Sequence, residues 1–238
     1  MTELTVVSLF TGIGGLDLGL ERAGMRVVAQ SEIDPYCCRV LAKHWPDVPN
    51  LGDITTIDWS TVERPDLICG GYPCQPFSLT GLRAGADDDR DRWPDFAIAI
   101  RELRPQWVLL ENVAAHLSLG FDRTLTDLAA LGFDADWSVV SACSMGAPHR
   151  RRRLFCVAHA SSVGRRSGRD DPRGARQARG QQAHGSPTRR SSWWATEPAV
   201  DRVAYGVPDR VDRARLIGNA VVPQVAEHVG RLIVEAVS

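Results

Sequence analysis

The sequence predicts an α/β protein built on a Rossmann-like sheet, and three features indicate this fold. The apolar, β-branched segment 5–10 leads into the glycine turn 11–15, which an apolar helix pattern follows. A second strand ends in Glu32, 20 positions after the first glycine of that turn. The segments 66–69 and 107–110 are apolar enough for strands that are covered on both faces. Strands that alternate with helices in this way predict a layered α/β domain.

Seven strands are predicted in all, and they cover residues 5–10, 26–31, 51–54, 66–69, 107–110, 137–143 and 154–158. Helix patterns follow the glycine turn and recur from Pro35 to near Pro46, at 96–103 and at 125–131. A last helix begins near Pro223 with apolar residues at helical spacing. This apolar stripe predicts that the helix packs back on the main body.

Composition predicts an intracellular protein without a membrane span. A chain of 238 residues with 44% hydrophobic content can form one sizeable core and a small appendage. No apolar run reaches the length of a membrane span, and residues 1–20 lack the positively charged start of a signal peptide. The six cysteines show no C-x-x-C spacing, so reduced thiols are expected and a metal site is not.

Positive charge is concentrated in one part of a chain whose net charge is only -1. Residues 149–190 contain 12 arginines against two aspartates, and within 161–192 the only large apolar residue is Val163. Such a segment cannot bury enough surface to offset its ordering entropy, so we expect it to be mobile until it meets a polyanion. A solvated tail is the alternative. The candidate nucleic-acid contacts here are Arg165 and Arg166.

The stretch 68–78 has the form of a strand that stops abruptly and presents one thiol. Two glycines let the backbone bend where the strand ends, and Pro73 and Pro76 stiffen the turn around Cys74. A reactive cysteine needs a fixed direction and an electropositive neighbourhood that lowers its pKa. The alternative is a buried cysteine that acts as a small hydrophobic residue.

Two carboxylates lie at predicted strand ends beside the glycine turn. The turn lets backbone N–H groups approach a ligand, and Glu32 at this spacing can accept hydrogen bonds from the ribose hydroxyls of an adenosine. Asp53 alone would be a turn residue or a helix cap. Next to a bound nucleoside, however, it becomes a candidate acceptor for the adenine amino group. The sequence therefore predicts an adenosine-containing ligand at this edge.

Further charged residues follow the later apolar strands. Glu111 comes directly after 107–110, where a carboxylate is costly unless it has a partner or a task. Four arginines run into the strand at 154–158, which favours a clamp for phosphate or a base over an exposed face. The polar loop 79–93 has the composition of a lid, with an ordinary solvated loop as the alternative. Its candidate phosphate contacts are Arg83, Arg90 and Arg92.

Four short motifs resemble those of the cytosine C5 DNA methyltransferases. Gly-Tyr-Pro-Cys-Gln-Pro-Phe-Ser at 71–78 is similar to the nucleophile motif of that family, and Glu-Asn-Val at 111–113 is similar to its second catalytic motif. Arg151 and Arg153 match a Gln-x-Arg-x-Arg motif in which His149 stands in the place of the glutamine. Gly-Asn-Ala-Val at 218–221 resembles the last motif, which lies beside the glycine turn in the family. The resemblance covers 1–159 and 193–238.

This resemblance implies a seven-stranded, mostly parallel sheet that binds S-adenosylmethionine at the carboxyl ends of its strands. The implied cofactor site is formed by the glycine turn, the next two strand ends and the last motif, with residues Phe10, Thr11, Gly12, Gly14, Gly15, Glu32, Ile33, Asp53, Ile54, Asn219 and Ala220. Ser78 is a further implied contact to nucleic acid.

The implied reaction is methyl transfer to C5 of a cytosine flipped out of DNA. Cys74 adds to C6 of the base and turns C5 into a nucleophilic carbon. Glu111 stabilises the adduct at N3 and at the exocyclic amine. Arg153, with Arg151, holds the base oxygen and a nearby phosphate and helps to keep Cys74 ionised.

The resemblance also implies a domain organisation and a setting. We expect a catalytic and cofactor-binding domain at 1–159, a reduced and partly disordered target recognition region at 160–215, and a terminal segment at 216–238 that packs on the first domain. The expected partner is double-stranded DNA, and the protein is expected to act as a monomer. The expected location is the cytoplasm of a prokaryote, where the protein associates with the nucleoid, and a phage-type origin also fits. Whether a cognate restriction endonuclease exists is left open.

Three other functions fit part of the sequence. A nicotinamide-dependent oxidoreductase shares the first two strands and Glu32, but it gives no reason for the cysteine turn or the arginine cluster. A noncatalytic nucleic-acid-binding module explains the arginines and leaves Cys74 and Glu111 without a role. A cytosine methyltransferase that acts on tRNA is the nearest alternative, because the family includes one.

Overall fold

A computed structural model describes residues 3–73, 91–161 and 217–237. Within these ranges the chain forms one six-stranded sheet with the strand order β2-β1-β3-β4-β6-β5. The strands are β1 (Thr5–Leu9), β2 (Arg26–Ser31), β3 (Leu67–Gly70), β4 (Trp107–Val113), β5 (Phe133–Ser141) and β6 (Arg152–Ala160). The pairs from β2 to β4 are parallel, while β6 runs antiparallel to both β4 and β5. The predicted α/β class with a mostly parallel sheet is thereby confirmed.

Helices cover both faces of this sheet. They are α1 (Gly15–Arg22), α2 (Pro35–His44), α3 (Trp93–Leu103), α4 (Phe121–Ala130) and α5 (Pro223–Val237). The side chains of neighbouring residues in one strand pack on opposite faces of the sheet. Ile68 packs with residues of α3 and α4, while Leu67 packs with residues of α1 and α5. This alternation explains why the central strands are apolar on both faces. None of the helices in these ranges is long and apolar enough to cross a membrane.

The predicted strand at 51–54 is wrong, and the described sheet has six strands where seven were expected. Gly52 adopts a φ of +77°, and Ile54–Thr56 form a single turn of 3-10 helix. Asp53 begins that turn, because its carboxylate accepts a hydrogen bond from the backbone N–H of Thr55 at 3.0 Å. The segment pairs with β2 through one isolated bridge, between Gln30 and Asn50. Side-chain capping therefore replaces the expected strand pairing.

Helices α1 and α5 pack at unusually close range, and glycines make the contact. A Cβ atom on Gly19 would lie 2.4 Å from the Cβ of Ala226, and one on Gly230 would lie 2.8 Å from the Cβ of Ala23. Such separations are far below van der Waals contact, so only glycine lets the two backbones approach so closely. The terminal helix is thus held against the first helix of the sheet layer.

Candidate active site

The glycine turn after β1 lies against the end of β2. Thr11 donates its backbone N–H to the carbonyl oxygen of Ser31 at 3.2 Å, and Gly12 donates its N–H to Glu32 Oε2 at 2.7 Å. Gly12 and Gly14 have φ values of +58° and +80°, and Gly14 directly precedes α1. Glycine is the residue that adopts such φ values without strain. The turn therefore places the N-terminus of α1 and the carboxylate of Glu32 at one edge of the sheet.

Backbone donors hold Glu32 in a fixed orientation. Its Oε1 accepts hydrogen bonds from the N–H groups of Ile33 at 2.9 Å and Asp34 at 2.7 Å. A carboxylate has about four acceptor positions, so three backbone bonds leave capacity for one further donor. The neighbouring Ile33 side chain is 68% exposed and offers an apolar surface at the same strand end. This pair has the chemistry expected for a ribose and a flat base.

Asn50 links the end of β2 to the segment that carries Asp53. Its Oδ1 accepts from the N–H groups of Glu32 at 3.0 Å and Gly52 at 3.1 Å, and its Nδ2 donates to the carbonyl oxygen of Glu32. Asp53 is exposed, and hydrogen bonds from Thr55 lower the pKa of its carboxyl. Glu32 and Asp53 therefore lie at adjacent places on the sheet edge. Two other predicted cofactor residues lie near this edge. Ile54 is buried within the hydrophobic core, and Phe10 is partly buried with its ring stacked on that of Phe96.

The last motif lies between the glycine turn and Arg151. A Cβ atom on Gly15 would lie 2.3 Å from the carbonyl oxygen of Val221. On the other side, the Arg151 guanidinium donates hydrogen bonds to the carbonyl oxygen of Gly218 at 2.7 Å and to that of Ala220. The segment with Asn219 and Ala220 is thus placed beside the glycine turn. The guanidinium that the sequence assigns to a base or a phosphate is engaged with this segment in the structure.

Glu111 and Arg153 form the charged centre of the site. Glu111 lies near the end of β4 with only 7% of its surface exposed, and Arg153 Nε is 3.1 Å from its Oε1. Burial raises the pKa of Glu111 to about 7, against the opposing effect of the Arg153 and Arg151 guanidinium groups. The Arg153 contact has the distance of an ion pair but not the alignment of a hydrogen bond, because Glu111 Oε1 has no hydrogen-bond partner among the described residues. A buried carboxyl in this state can donate a proton near neutral pH.

The chain that leads to the cysteine passes directly beside Glu111. A Cβ atom on Gly71 would lie 2.8 Å from Glu111 Oε2 and 3.3 Å from the Glu111 carbonyl oxygen, so the turn after β3 passes in close contact with this residue. Asn112 then donates its side-chain N–H to the carbonyl oxygen of Tyr72 at 3.3 Å. The end of β3 and the end of β4 are therefore fixed to each other two residues before Cys74.

Several predicted residues lie outside the described ranges. They are Cys74, Ser78, Arg83, Arg90, Arg165 and Arg166, together with nearly all of the segment 160–215. The loop residue Arg92 is described, and its guanidinium lies 3.3 Å from Asp95 in a half-exposed ion pair. A cavity of about 650 Å³ lies elsewhere, between α5 and the strands β5 and β6, with mainly apolar walls. Because it lacks the carboxylates and glycines described above, we place the site at the sheet edge instead.

Sequence reasoning missed three groups that support the site. Asp17 is fully buried on α1 and accepts hydrogen bonds from Ser8 at 2.6 Å and Gln30 at 2.7 Å, and burial raises its pKa to about 6. Asn50 is the second group, and the sequence gives only a weak signal for it, because Leu51 separates it from Gly52 and no Asn-Gly turn dipeptide is formed. The third group is the hydrogen-bonded set Tyr72, His116 and Thr124, which lie up to 52 positions apart. No local pattern reveals contacts at that separation.

Comparisons with known proteins agree in pointing to one family. A family model described as C-5 cytosine-specific DNA methylase matches residues 4–183. The Type II methyltransferase M.Eco47II of Escherichia coli is 36% identical over 162 residues, which are 65% of this chain and 39% of that protein. M.HhaI of Haemophilus parahaemolyticus is 33% identical over 162 residues, or 66% of this chain and 49% of that protein. The match thus spans half or less of the length of these two relatives.

Solved structures show the same fold. A structure of DNMT2 from Spodoptera frugiperda matches with a TM-score of 0.59 and 21% identity, covering 71% of this chain and 54% of that one. A protein described as a DNA modification methyltransferase encoded within an Escherichia coli prophage matches with a TM-score of 0.57 and 30% identity, over 68% of this chain and 48% of that one.

Proposed function

Because the chain belongs to the C-5 cytosine-specific DNA methylase family, we propose that it transfers a methyl group from S-adenosylmethionine to C5 of cytosine in DNA. The observation that carries this proposal is the buried pair of Glu111 and Arg153, placed beside the turn that leads to Cys74. A carboxyl group with a pKa of about 7 is suited to hydrogen-bond a pyrimidine nitrogen, which neither an oxidoreductase nor a simple DNA-binding module requires.

The sheet edge fits S-adenosylmethionine by its donors and acceptors. Glu32 retains one acceptor position for a ribose hydroxyl, and the exposed Ile33 side chain suits the face of the adenine ring. The exposed carboxylate of Asp53 suits the adenine amino group, and the glycine turn suits the amino-acid part of the ligand. When bound, this cofactor supplies an electrophilic methyl group.

The chain's own residues account for the activation of the base. The Cys74 thiolate adds to C6, so that a carbon–sulfur bond forms and the electron pair of the C5–C6 double bond is available at C5. Glu111 in its protonated form donates a hydrogen bond to N3 and stabilises the charge that develops in the ring. Arg153 neutralises the Glu111 carboxylate when the proton has moved. After methylation, loss of the C5 proton expels the thiolate and restores the aromatic ring.

None of these contacts is available to a base stacked within a duplex, so the target cytosine must leave the stack. The arginine-rich segment that follows β6 supports a nucleic acid as the substrate, because neutralisation of phosphates contributes much of the affinity of such proteins, and the family match favours DNA. We propose a cytoplasmic protein that acts as a monomer.

Trapping on DNA that carries 5-fluorocytosine tests the proposal at one atom. Fluorine at C5 permits addition and methylation but cannot leave as a cation, so the reaction stops as a covalent protein–DNA adduct. We expect an adduct that resists denaturing electrophoresis, requires S-adenosylmethionine and maps to Cys74. Cys74→Ser should form none, because a serine hydroxyl is scarcely ionised at neutral pH. Complete turnover without an adduct, or an adduct on Cys143, would contradict the mechanism.

Competition distinguishes DNA from RNA as the substrate. Duplex DNA and tRNA are offered together with a labelled methyl donor, and DNA should carry nearly all of the label. Preferential labelling of tRNA would favour the alternative activity. Bisulfite sequencing of DNA from cells that express the protein then identifies the methylated context.

A further inference from the structure

Helix α4 contacts the chain on both sides of the segment that carries Cys74. That segment, residues 74–90, leaves the described structure after Pro73 and returns at Asp91. On the near side, Tyr72 Oη lies 3.0 Å from Thr124 Oγ1 of α4. On the far side, Arg123 Nη1 of the same helix lies 2.8 Å from Asp91 Oδ2. Both ends of the segment are therefore attached to one turn of a single helix.

The near-side attachment is a buried chain of hydrogen bonds with a defined direction. His116 Nδ1 lies 3.0 Å from the carbonyl oxygen of Leu119, which can only accept, so Nδ1 carries the proton. In neutral His116 the other nitrogen, Nε2, then accepts from Tyr72 Oη at 2.7 Å, and Thr124 donates to Tyr72. Tyr72, His116 and Thr124 are 4%, 1% and 2% exposed, respectively. Buried and mutually satisfied polar groups of this kind specify a single arrangement.

The far-side attachment involves the next turn of α4. Asp127 Oδ2 accepts a hydrogen bond from the indole N–H of Trp93 at 2.7 Å, and Trp93 in turn donates its backbone N–H to Asp91 at 3.1 Å. The rings of Trp93 and Tyr72 lie 5.3 Å apart, so the two ends of the segment also touch each other. Arg123 and Asp127 are four positions apart and lie on one face of the helix.

We propose that this face of α4, formed by Arg123, Thr124 and Asp127, is a positioning element for methyl transfer that fixes both ends of the segment carrying Cys74. The inference rests on the proposed function and extends it to residues that touch neither the base nor the cofactor. Tyr72 transmits the constraint, because it precedes Cys74 by two residues and its carbonyl oxygen is bound by Asn112, the neighbour of Glu111. The helix thereby fixes Tyr72 and Asp91, the described residues on either side of the segment, relative to the end of β4.

The test is the rate of adduct formation between the full-length protein and 5-fluorocytosine DNA at saturating S-adenosylmethionine. Thr124→Val removes the hydroxyl but keeps the shape of the side chain. We expect the rate to fall about 10-fold to 100-fold, because a misplacement of about 1 Å has an effect of that size. The affinity for S-adenosylhomocysteine should stay within about twofold of wild type, since the main contacts of α4 among the described residues are with β5, α3 and the 3-10 turn at Ala114–Ser118.

Three variants separate positioning from a merely structural effect. Thr124→Ser restores the hydroxyl and should restore the rate. Thr126→Val is the matched control, because the Thr126 hydroxyl is exposed and donates to Asp122 within α4 itself. Tyr72→Phe should slow trapping at least as much as Thr124→Val does, because it removes the hydrogen bonds of Tyr72 to both His116 and Thr124. The double variant should be no slower than Tyr72→Phe alone, since that change already removes the hydrogen bond to Thr124.

The outcomes are distinct. A Thr124→Val protein that traps at the wild-type rate overturns the positioning role and leaves the proposed function standing. Loss of S-adenosylhomocysteine binding in parallel with the rate, or no recovery in Thr124→Ser, also overturns it. If Thr124→Val does not fold, the Arg123→Gln variant, which changes the exposed contact with Asp91, tests the positioning role instead. We expect its rate of adduct formation to be at least threefold lower than that of wild type, and an unchanged rate would contradict the role. Wild-type protein that forms no adduct overturns the proposed function and the positioning role together.

Discussion

At the scale of single residues, the chemistry of the site depends on how burial changes the acidity of Glu111. The carboxyl lies 3.1 Å from the Arg153 guanidinium and yet has a pKa of about 7, because burial has a larger effect on this pKa than the neighbouring positive charge. A free carboxyl with an ordinary pKa would be ionised there and could only accept hydrogen bonds. Burial therefore gives Glu111 the protonation state that the role implied by its motif requires.

This leads to a prediction for the pH dependence of kcat/KM. The protonated form of Glu111 is lost as pH rises through about 7, whereas the thiolate of Cys74 is gained, so the profile should be bell-shaped. Glu111→Gln stays neutral at every pH and should lose the falling limb, with a rate at least about 10-fold below wild type. Steady-state assays from pH 5.5 to about 9 check this.

Glu102→Gln is the matched control for that profile, because Glu102 is exposed on α3 in an ion pair with Arg101. It should reproduce the wild-type curve. A falling limb that persists in Glu111→Gln would assign it to another group.

At the scale of elements, the contact between α1 and α5 connects the two ends of the described chain. Gly15 and Gly19 on α1 meet Val221 and Ala226 at distances that exclude any side chain. The glycines therefore serve two purposes, since Gly15 is also the last residue of the glycine turn. The helix stripe at 222–236 indicates that α5 packs on something, but the sequence does not identify α1 as its partner.

Gly19→Ala should lower the free energy of unfolding by about 1–3 kcal/mol, because its Cβ would lie 2.4 Å from that of Ala226 and force the helices apart. Urea unfolding followed by circular dichroism measures this. Gly218→Ala is the control, since no atom lies within 4 Å of its added Cβ, and its stability should match wild type. If Gly19→Ala had the same free energy of unfolding as wild type, the two helices would be able to move apart without loss of stability.

At the scale of the whole molecule, most of the concentrated positive charge lies in a different part of the chain from the residues proposed to carry out the chemistry. The site at the sheet edge includes Arg151 and Arg153, while residues 161–190 hold eight further arginines against two aspartates. We therefore expect DNA binding to weaken steeply as salt increases, through release of counterions from the phosphates.

Deleting residues 165–190 should make the dependence of log affinity on log salt shallower by about 0.9 for each phosphate contact removed. Fluorescence anisotropy between about 50 and 200 mM salt measures the slope. Cofactor binding should be unchanged in the deletion protein, which serves as its control. Identical slopes for the two proteins would show that the arginines make no phosphate contacts.

The amino-acid sequence by itself determined the fold class, most strands and helices, and the family. Alternating apolar segments, glycines and prolines act through nearest neighbours along the chain, so local pattern suffices to read them. The exception is the segment 51–54, where Asp53 caps a 3-10 turn and competes with the extended conformation. The resemblance drawn from four short motifs is confirmed by the family match over 4–183.

Only the tertiary structure decided the strand order, with β6 between β4 and β5, and the pairing of Arg151 with carbonyl groups 67 and 69 positions away. It also decided the pKa values of Glu111 and Asp17 and the attachment of Tyr72 to α4. These properties depend on which distant groups are packed together and how much water they lose. Desolvation and long-range hydrogen bonds arise only when the chain is folded, so no local pattern encodes them.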